Sequence, residues 1–225
     1  FTSSCFINTD LDNNQIVSFY NGAMSKASTL SFRDLDYQDI AIAVISPSDP
    51  AAMVKYAGEC QELSIPYIYD PSQQIIRLSG EELVAGINGC KVLVVNDYEF
   101  EMIKNKSGLT DEETLELAET VVITRGEGGS TISTRQERLE IPPVVPRPLA
   151  EPTGVGDAYR AGLIKGIVRG YSWETTGRLG SLAATYTLEA HGTQNHSYTL
   201  EEFAARYREN FGDAPELADL LAATK

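Results

Sequence analysis

The sequence is short of positive charge, paired cysteines and long apolar runs, and each shortage removes a class of function. Only 18 Lys and Arg stand against 32 Asp and Glu, a formal net charge of −14. Nucleic-acid-binding surfaces concentrate Lys and Arg on one face, so no nucleic-acid partner is expected. A negative field leaves a phosphate site open, because phosphates are held locally by backbone N–H groups, one or two basic side chains and a metal ion. Cys5, Cys60 and Cys90 are odd in number, far apart and without C-x-x-C spacing. They read as reduced, mostly buried residues of a cytoplasmic protein. His191 and His196 lack any Cys/His/Asp spacing that would make them metal ligands. No run reaches the ~18 apolar residues of a membrane-spanning helix, so no membrane partner is expected. Phe1-Thr2-Ser3-Ser4-Cys5 has neither the basic nor the apolar part of a signal peptide, and no initiator Met. The expectation is a chain that begins partway into a longer protein.

What is present suits a globular α/β protein: 225 residues, 42% hydrophobic and 22% charged. Cys5–Thr9 and Gln15–Tyr20 are β-rich runs around the turn formers Asp10-Leu11-Asp12-Asn13-Asn14, which reads as a hairpin. Strands and helices then alternate. Ile40–Ile45 reads as a strand buried on both faces. Ser48-Asp49-Pro50 caps a helix over Ala51–Leu63. Tyr67–Tyr69 is the next strand, Ser79-Gly80-Glu81-Glu82 opens a helix, and Lys91–Val95 and Thr120–Thr124 are strands. Thr131–Ser133 and Arg138–Ile141 form a second hairpin. Helices follow at Asp157–Arg169, Ser172–Glu189, Leu200–Asn210 and Asp213–Ala223. Such alternation argues for a mostly parallel sheet covered on both faces.

The most informative segment is Thr153-Gly154-Val155-Gly156-Asp157-Ala158-Tyr159-Arg160-Ala161-Gly162. Two glycines allow a sharp turn and close backbone approach to a ligand. An Ala-rich helix begins at once, so unpaired N–H groups and the positive dipole end face whatever lies above Gly154, Val155 and Gly156. Asp157 places a carboxylate beside that anion site. There it is a poor phosphate ligand but a sensible general base for a hydroxyl attacking phosphorus. An arbitrary G-x-G-D is more often a turn with Asp as helix cap; the flanking sequence decides here.

That segment resembles the signature of the PfkB (ribokinase-like) kinase family around its catalytic Asp, with Glu151-Pro152 where the family usually opens with Asp-Thr or Asp-Pro. Two further motifs occur in the family's order. Asn96-Asp97-Tyr98-Glu99 matches its N-x-x-E element, in which a carboxylate and an amide at a strand end order Mg²⁺-bound waters. Asn96 could equally cap the following helix. Thr124-Arg125-Gly126-Glu127-Gly128-Gly129 resembles its T-x-G-x-x-G nucleotide loop, with Thr124, Gly126 and Gly129 at the matching positions; alone it would be an ordinary glycine turn. Neither a Walker A loop nor the protein-kinase motif set is present. The resemblance implies a three-layer α/β/α sandwich with a mostly parallel, Rossmann-like sheet and a small β lid. Residues 1–30 would be part of the lid and the return from it, and 31–225 the kinase core. It implies ATP and Mg²⁺ as cofactors, Mg²⁺ being held through water by Glu99, and in some members a monovalent cation.

Within the family the chain is most similar to actinobacterial-type adenosine kinases, through Ser18-Phe19-Tyr20, Asp70-Pro71-Ser72-Gln73-Gln74, Arg77-Leu78-Ser79-Gly80-Glu81-Glu82 and Gly192-Thr193-Gln194. That likeness implies Phe19 stacking on a purine, Gln73 and Gln74 binding its edge, Arg77 in the same wall, and Gly192 near the adenine end of the ATP site. Left to composition alone, Phe19 would be a packing residue and Gln73-Gln74 a solvated pair. Nothing in the sequence selects Arg33 or Lys104 as phosphate contacts. The expected reaction is phosphorylation of adenosine. The alternatives are a PfkB-family sugar kinase acting on ribose or fructose, or a nucleotide-binding fragment without turnover. The resemblance also implies roughly 80–100 family residues before Phe1, and it leaves a homodimer through the lid open.

Overall fold

A computed structural model describes residues 1–9 and 15–222. Strands β1 (Ser4–Thr9) and β2 (Gln15–Tyr20) pair antiparallel as a separate two-stranded sheet, with Cys5 opposite Phe19. The expected turn at 10–14 lies outside the described residues. Phe6, Ile16, Phe19 and Tyr20 are exposed on this hairpin, and Cys5 is exposed too, unlike buried Cys60 and Cys90. A 3-10 turn over Gly22–Thr29 returns the chain to the main body, where Lys55 Nζ donates to the carbonyls of Ser28 at 3.0 Å and Leu30 at 2.6 Å.

The main sheet has six strands in chain order: β3 (Ala43–Ile45), β4 (Tyr67–Tyr69), β5 (Val92–Asn96), β6 (Thr120–Thr124), β7 (Ser130–Thr134) and β8 (Arg138–Ile141). The first four run parallel and the last two antiparallel. Strand alternation sends successive side chains to opposite faces. Leu93 and Val95 pack under helices α1 (Pro50–Leu63), α2 (Gly80–Ile87) and α3 (Asp97–Ser107). Val92 and Val94 pack against α5 (Val155–Arg169) and α6 (Trp173–Leu188) on the other face. A short α4 (Asp111–Leu117) lies between α3 and β6, while α7 (Leu200–Phe211) and α8 (Glu216–Ala222) bury a third cluster with α6. The architecture is the expected α/β sandwich with a mostly parallel sheet.

Three local expectations need correction. The strand expected at Ile40–Ile45 is shortened to Ala43–Ile45 by a 3-10 turn over Tyr37–Asp39. It is not buried on both faces, because Val44 is 37% exposed on the face away from Ala43 and Ile45. The last helix starts at Glu216, since Pro215 disfavours the α region for the residue before it. Helix α1 follows its signal closely: Asp49 accepts from the N–H groups of Ala51 and Ala52, and Pro50 occupies the first turn.

Helices α5 and α6 meet through glycine. A Cβ added to Gly162 would lie 2.6 Å from the Gly180 Cα, so the two backbones are in contact with no side chain between them.

Candidate active site

Parallel strands carry ligands in the crevice beyond their carboxyl ends, and here that edge holds a cleft of about 300 Å³. The ends of four strands supply one wall: Pro47 beyond β3, Asp70 beyond β4, Asn96 closing β5 and Thr124 closing β6. Gly154, Val155, Gly156, Asp157, Tyr159 and Arg160 supply the other from the start of α5. Gln73 enters from a 3-10 turn over Ser72–Ile76. Ser72 also lines the cleft, with a φ of 40° that is uncommon for a residue with a side chain.

Gly154 is the N-cap of α5 at φ 87°, a left-handed conformation that costs glycine nothing. Its side-chain-free position also lets Thr193 approach; a Cβ there would meet the Thr193 Cβ at 3.2 Å. The backbone N–H groups of Gly156 and Asp157 have no protein acceptor among the described residues. A helix start left open in this way can receive an anion, and the helix dipole favours it. The Asp157 carboxylate stands at its mouth and is 75% exposed.

Asn96 and Glu99 form a reciprocal cap at the start of α3. Asn96 Oδ1 accepts from the Glu99 N–H, and Glu99 Oε2 from the Asn96 N–H, both at 2.8 Å. The capping alternative for Asn96 is therefore realised, while Glu99 Oε1 keeps no protein partner among the described residues. No group of three or more His, Cys, Asp or Glu that could hold a metal ion occurs among the described residues. One free carboxylate oxygen beside an anion site still suits Mg²⁺, which retains several waters and takes only one or two carboxylates alongside phosphates.

Two residues that the sequence reading did not select complete the cleft. Arg160 pairs with both Asp70 and Asp157. Burial pushes the Asp70 carboxyl up to about 6, against the pull of the Arg160 guanidinium, with the Glu99 and Asp157 carboxylates adding to the rise. The signals were available: Asp70 sits in the quoted Asp70-Pro71-Ser72-Gln73-Gln74 stretch just past a strand, and Arg160 is one helical turn from Asp157.

The remaining candidates lie outside the cleft lining. Gly126 and Gly129 form the turn after Thr124, closed by Gly129 N–H to Gly126 O at 3.0 Å. Gly192 donates its N–H to Glu151 Oε2 at 2.8 Å, and that bond, with a second from Thr153, holds the Glu151 carboxyl below its usual range. Gln74 is buried with its Oε1 unpaired, and Arg77 is exposed. Phe19 is 48% exposed on the separate hairpin.

The family description "pfkB family carbohydrate kinase" matches residues 2–200. The chain belongs to this family. As a pfkB-family member it is an ATP-dependent phosphotransferase with an alcohol acceptor. It is 32% identical to the nucleoside kinase of Methanocaldococcus jannaschii, covering 91% of this chain and 67% of that protein. The nucleoside kinase of Burkholderia thailandensis solved with inosine superposes with a TM-score of 0.92 at 35% identity, over 96% of this chain and 72% of that one. The same enzyme in its ADP-inosine complex gives a TM-score of 0.90, with 96% and 67% covered. These pfkB-family relatives are nucleoside kinases, a broader grouping than the actinobacterial-type adenosine kinases of the sequence resemblance. No helix among the described residues is long and apolar enough to cross a membrane.

Proposed function

We propose that this pfkB-family chain transfers the ATP γ-phosphoryl group to the 5′-hydroxyl of a nucleoside, with adenosine preferred. The observation that carries the proposal is the meeting of Asp157 with the open N–H groups of Gly156 and Asp157 in one cleft that also holds Gln73. A base and an anion site that share a mouth can serve an attacking hydroxyl and the phosphorus it attacks. Likeness to nucleoside kinases supports the acceptor class.

In this reading the substrate hydroxyl sits against Asp157, which takes its proton as the oxygen bonds to phosphorus. The backbone from Gly154 to Gly156 and the N-terminal end of α5 stabilise the charge that develops on the transferring group. Glu99, through its free Oε1, would hold Mg²⁺ by way of water. Bound there, the ion would neutralise phosphate charge. Thr124, with the turn through Gly126 and Gly129, and the Gly192 segment beside Gly154 would border the ATP. Gln73 would bind the purine edge, and Phe19, on a hairpin that closes as a lid, would stack on the base. Gln74 and Arg77 would back that wall.

The test is an ADP-release assay with adenosine, inosine, ribose and fructose at matched concentrations. Adenosine should exceed ribose and fructose by at least ~10²-fold in kcat/KM, because a bare sugar leaves an aromatic face unfilled and amides unpaired. Gln73→Ala should narrow the gap between adenosine and inosine, which differ at the purine edge. Comparable rates with ribose or fructose would replace the nucleoside reading with a sugar-kinase one.

A further inference from the structure

Asp157 does not stand alone in the cleft. On the same face of α5, Arg160 donates from Nη2 to Asp157 Oδ1 and from Nη1 to Asp70 Oδ2. The three side chains differ sharply in burial. Those of Arg160 and Asp70 are each 12% exposed, against 75% for Asp157. One end of the bridge is therefore set in the protein and the other reaches the open cleft.

The buried end is well fixed. The Asp70 N–H donates to the Ile45 carbonyl at 2.9 Å, which continues the β3–β4 ladder to the residue that bears the carboxylate. A guanidinium is a planar fork whose donors keep fixed relative directions. Holding one arm of it on Asp70 therefore fixes where the other arm points. Asp157 Oδ2 has no protein partner among the described residues. An exposed carboxylate on two rotatable bonds would otherwise sample several orientations, and a base displaced by about 1 Å can cost ~10²-fold in rate.

From this geometry we infer that Arg160, anchored by Asp70, is a positioning residue: it engages Asp157 Oδ1 and presents Oδ2 to the acceptor hydroxyl. The inference rests on the base role proposed for Asp157. It concerns a link between β4 and α5 whose two ends lie in separate quoted segments and meet only in the folded chain. Asp70 would act only through Arg160, and Arg160 only through Asp157. Glu99 is the other charged group that bears on Asp70 across the cleft, and it makes no hydrogen bond to either end of the bridge.

The test is a set of single and double variants assayed for kcat and for the KM of each substrate. Arg160→Ala should lower kcat by ~10–10²-fold with both KM values within about twofold. Millimolar methylguanidinium should restore part of that loss, which a merely structural role would not allow. Arg160→Lys keeps a buried charge for Asp70 but lacks the fork, so it should retain the wild-type Tm and still lose kcat. Residues acting as a unit are non-additive. In the Asp157→Asn background, Arg160→Ala should therefore cost less than about twofold more. Asp70→Asn should lower kcat in the same direction. A full additional loss in the double variant would overturn the inference, as would an Arg160→Lys enzyme of wild-type kcat. A rise in KM for ATP with kcat unchanged would overturn it too, assigning Arg160 to phosphate binding. If Asp157→Asn alone kept near-wild-type turnover, the base role itself would fall, and the positioning role with it.

Discussion

The hydroxyls of Ser130 and Tyr159 lie 2.6 Å apart in a buried contact that joins strand β7 to helix α5. Ser130 is 1% and Tyr159 6% exposed, so the contact is largely shielded from water. Tyr159 follows Asp157 by two residues and lines the cleft. Tyr159→Phe leaves the Ser130 hydroxyl buried and unpaired, which costs ~1–3 kcal/mol. Urea unfolding should show that loss with an unchanged m-value; an unaltered midpoint would show that the contact contributes nothing.

Asp157→Asn preserves the size of the side chain and removes its basicity. It should lower kcat by ~10²–10⁴-fold while leaving ATP affinity nearly intact. Single-turnover measurements separate chemistry from product release, and turnover within a few-fold of wild type would remove Asp157 from the role of base.

Lys106 holds the segment that carries Gln73. Its Nζ donates to the carbonyls of Ile75 at 2.7 Å, Ile76 at 3.0 Å and Leu78 at 2.6 Å, gathering the end of the 3-10 turn. Lys106→Met keeps the aliphatic stem and deletes all three bonds. It should destabilise the protein by ~1–3 kcal/mol and raise KM for the nucleoside more than KM for ATP. Equal changes in the two KM values would show that the turn does not belong to the nucleoside wall.

The Glu189–Arg206 pair ties the end of α6 to α7. Glu189 accepts from both Arg206 Nη atoms, at 2.7 and 2.5 Å, and from the Arg147 N–H at 2.5 Å. Burial alone would raise the Glu189 carboxyl, but these bonds and the two guanidinium charges bring it below its ordinary 4.5. A depressed carboxylate contributes stability that is complete above 4.5 and is lost as pH falls through the lower folded-state value. Glu189→Gln leaves the Arg206 charge without its partner, at a cost of ~3–5 kcal/mol at neutral pH. The Tm gap between variant and wild type should therefore be widest at pH 7 and shrink below pH 4.5. A gap independent of pH would show that shape, not charge, makes the contact.

The frame of the molecule was legible because its signals are local. The apolar runs at Val92–Val95 and Thr120–Thr124, the Asp49-Pro50 cap and the Gly154–Asp157 loop each contain their own structural reason. The 3-10 turns of three to eight residues offer too little periodicity to be read, whereas helix α4 was missed although Thr110 and Glu113 form a capping box at its start. The bridge from Asp70 to Arg160 was hidden for another reason. It spans 90 positions of sequence and exists only once β4 and α5 sit on the same cleft. The reading of Asn96 went as far as sequence allows: cap and ligand call for the same residue type, and the capping bonds became visible only in three dimensions.

The glycine contact between α5 and α6 bears on how the acceptor preference could be re-engineered. With Gly162 against Gly180, helix α5 cannot take a new side chain there without being lifted off its neighbour, and the open N–H groups at its start would move with it. Under the proposed roles, a side chain added at Gly162 would damage phosphate transfer before it altered the choice of acceptor. The exposed positions Gln73, Ile76 and Arg77 carry no such constraint. A library confined to that turn would vary the wall proposed to meet the acceptor while leaving the α5–α6 contact untouched.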